Sequence, residues 1–255
     1  MCRIIAIPPN TTKKAALEII ADMYGDNEHG TGEVYLSEGK FVLNKYGQSF
    51  SKVVKKGKVF LNHLPHNGWT LAHIRKVSVG AQCKENAHPF ISLDGQMALA
   101  HNGTLPQTDL LSLYLQTING FVSNTDSAAS CELISRIGVK DFTEFVNWGG
   151  VFAVLNLDGS LEISKISGEL ALHLRDDKTC LIASEFDADK YKNIELLRGY
   201  FKFNANGTYA KHKAKEFVWN GYPKNTASVY QGGFNHIYTG ASHAVGNEHR
   251  SEMWY

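Results

Sequence analysis

Apolar and polar positions along this chain fall into short runs, and most of the runs read as strands. Residues 3–7 (RIIAI) form an apolar strand that Pro8-Pro9 ends. Residues 13–24 (KKAALEIIADMY) repeat apolar side chains at helical spacing, with Thr11 or Thr12 as the candidate cap. A glycine-rich turn, GDNEHGTGE, is expected to follow. Two strands are expected at 34–36 and 41–44, joined by 37–40. Segments 69–75 (WTLAHIR) and 96–101 (QMALAH) are two more strands, the second running straight into Asn102-Gly103. The pattern then predicts a helix over 106–117, opening at Pro106. Another covers 125–137, opened by Asn124, Thr125 and Asp126 and ended by Gly138, and a short one covers 140–147. Strands return at 150–157, 160–166, 169–174 and 179–184. Asp158-Gly159 is a hairpin signal, and Asn206-Gly207 repeats it between 199–203 and 208–212. Strands at both ends with helices between point to an α+β fold with layered sheets.

From Gly221 onward the chain turns rich in Gly, Asn, His, Ser and Tyr and loses periodicity. The expected organisation is therefore one domain over 1–220 and a weakly ordered tail over 221–255. Composition narrows the function classes. An apolar share of 43%, a charged share of 20% and a net charge of +1 leave no basic footprint for nucleic acid and no belt for a membrane surface. No run approaches the roughly 20 apolar residues of a membrane helix. The start of the chain does not read as a signal peptide, so the expected compartment is the cytoplasm. Four cysteines at 2, 83, 131 and 180 form no CxxC pair, which argues against a zinc site and a disulfide framework. No metal or organic cofactor is expected.

Cys2 is the first candidate for chemistry. Removal of the initiator methionine is expected before so small a residue, and it would leave a thiol and a free α-amine on one residue. An α-amine titrates near 7.7–8.0 in unperturbed form, roughly where a base for a thiol is needed. Four further segments carry polar groups at strand ends or helix starts: HIRKVSVG at 73–80, NAHPF at 86–90, HNG at 101–103 and TDS at 125–127. Taken singly, Cys2 reads as an apolar strand residue and the others as turns or caps.

In this order behind an N-terminal cysteine, the segments are specific. The chain resembles the class II glutamine amidotransferases, the N-terminal-nucleophile group. The resemblance rests on MCRIIAI, HIRKVSVG, NAHPF, HNGTL, TDS and IASE (182–185), and it covers about 2–185. It implies a four-layer αββα sandwich, two antiparallel sheets between helical layers. It implies Cys2 as nucleophile, with Asn102 and the Gly103 N–H as the oxyanion hole. Arg75 would grip the α-carboxylate of L-glutamine through paired hydrogen bonds, and Asp126 would hold the α-ammonium. His88 and His101 fall in matching motifs and are assigned support roles beside the substrate. The reaction implied is release of ammonia through a γ-glutamyl thioester.

Some positions depart from the family pattern. Ala128 stands where an acid often follows TDS, and His29 stands in place of an acid before Gly30-Thr31-Gly32. No acceptor domain is legible after 185, so the expected partner is a separate ammonia-accepting synthase subunit. Two rival readings remain. One is another N-terminal-nucleophile amide hydrolase with a different substrate; the other is a non-catalytic glutamine-binding subunit.

Overall fold

The computed structural model describes residues 2–23, 27–105, 125–146, 149–187, 189–192 and 194–209. The expected helix over 106–117 and the tail over 221–255 lie outside the described residues. So do 210–212 of the last expected strand.

Two antiparallel sheets form the centre. The larger has the strand order β11-β9-β10-β1-β4-β2-β3 and the smaller β12-β8-β7-β6-β5. In chain order the strands are β1 (Arg3–Ile7), β2 (Gly30–Ser37), β3 (Lys40–Tyr46), β4 (Thr70–Arg75), β5 (Phe90–Ile91) and β6 (Met97–Asn102). After them come β7 (Val151–Asn156), β8 (Leu161–Lys165), β9 (Ala171–Leu174), β10 (Cys180–Ala183), β11 (Ile194–Leu196) and β12 (Gly199–Phe203). The helices are α1 (Lys13–Met23), α2 (Phe50–Lys55), α3 (Asp126–Ile137) and α4 (Val139–Val146).

Three apolar layers follow from strand alternation, because successive side chains point to opposite faces. Ile4, Ala6, Leu71, Ala98, Ala100, Val151, Ala153, Ile163, Cys180 and Ile182 pack between the two sheets. Ile5, Ile7, Ala72, Ile74 and Leu181 point the other way, onto Ala16, Ile19 and Ile20 of α1 and Phe50 and Val53 of α2. On the far side Met97, Leu99, Phe152 and Val154 meet Cys131 and Ile134 of α3 and Phe142 of α4. This is the expected four-layer αββα sandwich.

Most of the expected elements are present. Thr125 caps α3 by accepting from Ala128 N at 3.3 Å, and Gly138 ends it at φ +83°. The GTGE segment differs from expectation. It opens β2 rather than a turn, paired with β4 at Gly30↔Arg75 and with β3 at Gly32↔Lys45. Gly32 has a packing reason to lack a side chain. A Cβ there would run into the His88 carbonyl and lie 2.9 Å from that of Asn44. The strand therefore takes glycines so that the 86–89 segment can lie against it. None of the described helices is long and apolar enough to cross a membrane.

Candidate active site

Cys2 sits immediately before β1, and its sulfur faces the backbone just past the end of β4. The Lys76 N–H donates to Cys2 Sγ at 3.3 Å, and the thiol donates to the Lys76 carbonyl at 3.3 Å. Burial pushes the thiol up from its usual range; the Lys76 N–H and the Arg75 guanidinium pull it down, and the Asp126 carboxylate pushes it up. At rest the sulfur is therefore a protonated thiol.

Arg75 closes β4. Its guanidinium donates to Val79 O at 2.6 Å and to Ala81 O at 2.9 Å, so it braces the loop that leaves the strand. Burial pulls it down from its usual value, opposed by Cys2, Cys83 and Asp126. An arginine has five N–H donors and stays charged at any working pH, so donors remain for a ligand. Asn86 donates to the same Ala81 carbonyl at 3.0 Å, which ties the loop to the segment lying on Gly32.

Asp126 is in the first turn of α3. Its Oδ2 accepts from Leu105 N at 2.8 Å and its Oδ1 from Ser127 N at 2.9 Å. These bonds fix the carboxylate and leave lone pairs for a cation. Only 4% of its surface is exposed. Its charge nevertheless acts on both Cys2 and Arg75. Residues far apart in the chain thus share one small electrostatic environment.

Asn102 ends β6, opposite Val151 of β7, and Gly103 follows it. A Cβ on Gly103 would collide with the Gly149 carbonyl and lie 2.8 Å from His101 Nε2. Gly150 is at φ +106°, and a Cβ on it would strike the Asn102 carbonyl. The turn at 102–103 is therefore clamped by a glycine pair at 149–150, which was not singled out from the sequence. Its only legible sign is the doublet itself.

Three histidines pack behind this turn. His101 meets Ser127 Oγ through Nδ1 at 3.0 Å and Gly149 O through Nε2 at 2.6 Å, stacked on Phe152. Both ring nitrogens are engaged by protein atoms, which is a strut between α3 and the glycine pair. His73 Nε2 meets the His101 carbonyl at 3.1 Å, and burial pulls His73 down to about 3. His88 is buried between His73 and Phe90, with ring centroids 4.1 Å and 4.9 Å away, and burial pulls it well below the usual histidine range. All three are pulled down by burial, which favours their neutral forms. Among the described residues no group of three or more His, Cys, Asp or Glu could hold a metal ion.

Sequence reasoning also passed over two backbone groups. The Lys76 N–H contacts Cys2 Sγ. The His29 N–H donates to the Arg75 carbonyl at 3.1 Å, while His29 Nδ1 accepts from Val77 N at 2.8 Å. Main-chain donors have no signature in sequence.

Residues 60–183 match the family model of class-II glutamine amidotransferases. The glutamine–fructose-6-phosphate aminotransferase of Lactiplantibacillus plantarum is 29% identical over 147 residues, 55% of this chain and 23% of that protein. The chain thus spans about a quarter of that relative's length. Among solved structures, the glutamine phosphoribosylpyrophosphate amidotransferase from B. subtilis superposes with a TM-score of 0.64 at 19% identity, over 86% of this chain and 50% of that one. A glutamine aminotransferase class-II domain protein from Silicibacter pomeroyi superposes at 0.53 and 12% identity, over 83% of this chain and 100% of that one. The two superpositions bear on the fold alone.

Proposed function

From its kinship with the class II glutamine amidotransferases, we propose that this chain performs the glutamine-hydrolysing half of an amidotransferase reaction. One observation carries the reading: a sulfur donor contact from Lys76 N–H and the charges of Arg75 and Asp126 converge on Cys2.

In this reading the α-carboxylate of glutamine lies on the guanidinium donors of Arg75 that Val79 and Ala81 leave unused. The α-ammonium lies against Asp126. Clamping both charges holds the carboxamide in line with Cys2. Removal of Met1 exposes the Cys2 α-amine, which takes the thiol proton as sulfur attacks the amide carbon. The oxyanion is held by the Asn102 side-chain amide and the Gly103 N–H. The Cys2 α-ammonium then gives the thiol proton to the leaving nitrogen; collapse expels ammonia and leaves a γ-glutamyl thioester, which water hydrolyses to glutamate. His101 and His88 support the oxyanion turn through packing. The amidotransferase unit is assigned to 1–220, with 221–255 outside it, and the ammonia acceptor to a separate synthase partner.

The test is glutamate release from glutamine by a sample whose intact mass shows Met1 removed, beside Cys2→Ala. Release by the processed protein and none by the variant is the expected result. Equal release by both would refute Cys2 as nucleophile. No release by the processed protein, alone or with native extract, would refute the glutaminase reading.

A further inference from the structure

We infer, on the reading of Arg75 as the clamp for the α-carboxylate of glutamine, that Asn86 is a positioning residue for that clamp. Its side-chain amide holds the carbonyl against which the guanidinium is braced.

The Arg75 guanidinium stands at the end of a long, rotatable side chain, so its direction is set by what it bonds. It donates through Nη2 to Val79 O at 2.6 Å and through Nη1 to Ala81 O at 2.9 Å. Among the described residues no main-chain hydrogen bond is made by residues 78–83, so these two carbonyls belong to no ladder. The Ala81 carbonyl is held from outside the stretch by Asn86 Nδ2 at 3.0 Å. A carbonyl oxygen only accepts, so the edge of the Asn86 amide that faces it is the NH2 group.

Asn86 is a firm base for this bond. Only 6% of its surface is exposed, and the next residue, Ala87, is fully buried. The Ala87 N–H donates to Lys84 O at 3.1 Å. Its side chain lies against Gly30, the strand partner of Arg75, so closely that a Cβ on Gly30 would stand 3.1 Å from it. The other side-chain ties of the loop run elsewhere. Gln82 Nε2 donates to Glu28 O and Gly47 O at 3.4 and 3.3 Å, and Thr104 Oγ1 donates to Ser78 Oγ at 3.2 Å. Among the described residues, Asn86 is thus the one side chain besides Arg75 that bonds either brace carbonyl.

The amide therefore ties the brace to the buried 86–89 segment. Without it the guanidinium and its two carbonyls can shift together, and the donors left over for a carboxylate shift with them. Cys2 is bonded by Lys76, ahead of this stretch, and keeps both of its contacts. The effect is expected on ligands that carry an α-carboxylate and not on the reactivity of the thiol.

The experiment compares wild type with three variants. Asn86→Ala removes the amide, and Asn86→Leu keeps the shape of asparagine without a donor. Gln82→Ala cuts loop ties that do not reach the brace. Cys2 is labelled with two reagents and followed by peptide mass spectrometry. The chloroketone analogue of L-glutamine carries the α-ammonium and the α-carboxylate; iodoacetamide carries neither. Losing the hydrogen bond is expected to raise the half-saturating chloroketone concentration about five- to tenfold in both Asn86 variants, with the iodoacetamide rate within about twofold of wild type. KM for glutamate release should rise by a similar factor while kcat stays within about threefold. Gln82→Ala should change labelling by either reagent by no more than about twofold. An unchanged half-saturation in the Asn86 variants would overturn the inference. So would equal slowing of both reagents, the same loss in Gln82→Ala, or loss of folding in both Asn86 variants. Saturable chloroketone labelling of wild type without glutamate release would sink the glutaminase reading and leave Asn86 to be judged from the labelling. Absence of saturable labelling would sink the Arg75 clamp and the role of Asn86 together.

Discussion

Glu33 stands in the middle of β2 with none of its surface exposed. Its carboxylate accepts from Asn44 Nδ2 at 2.9 Å and from Leu61 N at 2.7 Å. Burial raises it from 4.5 to about 7, opposed by those two hydrogen bonds and by the charge of Lys13. The folded state therefore binds this proton more tightly than the unfolded chain does. The stability it contributes is complete below pH 4.5 and is lost as pH rises through about 7. A shift of that size, at about 1.4 kcal/mol per unit, amounts to about 3 kcal/mol across the window. Glu33→Gln removes the titration. The new Oε1 still accepts from Leu61, and an Asn44 amide flip offers its oxygen to the new Nε2. Relative to wild type, the variant should gain stability as pH rises from 5 to 8, by up to about 3 kcal/mol. In melting temperature that is on the order of 6–12 °C for a chain of this size. The buried histidines titrate in both proteins and cancel from the difference. Urea unfolding followed by tryptophan fluorescence at several pH values measures it. Parallel stability–pH curves for the two proteins, or a variant less stable at pH 8, would refute the reasoning.

Two more substitutions test the site and its support. Asn102→Ala should lower kcat for glutamate release by about 10²–10³ with little change in KM, and a kcat within threefold of wild type would remove Asn102 from the oxyanion hole. Gly32→Ala forces a Cβ into the His88 carbonyl and to 2.9 Å from Asn44 O, both backbone atoms that cannot swing aside. It should cost about 2 kcal/mol or more in urea unfolding, and a cost under about 0.5 kcal/mol would show that the segment does not need that close approach.

Much of the architecture was legible in the sequence. The apolar run before Pro8-Pro9 is β1, the helical spacing from Lys13 is α1, and Thr125 and Gly138 bound α3. Gly159 takes the positive φ, +83°, that its hairpin signal requires. Each of these is local chemistry, set by neighbours within a few residues. Other elements were not legible. Helix α2 spans Phe50–Lys55, too short to show a period, and β11 is only Ile194–Leu196. Gly30-Thr31-Gly32 reads as a turn because glycine usually breaks strands. It is a strand because the 86–89 backbone needs the space, a contact that the sequence does not display.

The site divides in the same way. The candidates Cys2, Arg75, Asn102, Gly103 and Asp126 come from motifs, because the chemistry a residue can offer is written in its type. What surrounds Cys2 was settled by tertiary structure. Antiparallel pairing of β1 with β4, at Arg3↔Ile74, brings Cys2 beside Lys76, and pairing of β2 with β4, at Gly30↔Arg75, sets His29 beside Val77. A backbone N–H is present at nearly every residue, so only the register of distant strands decides which one meets the sulfur.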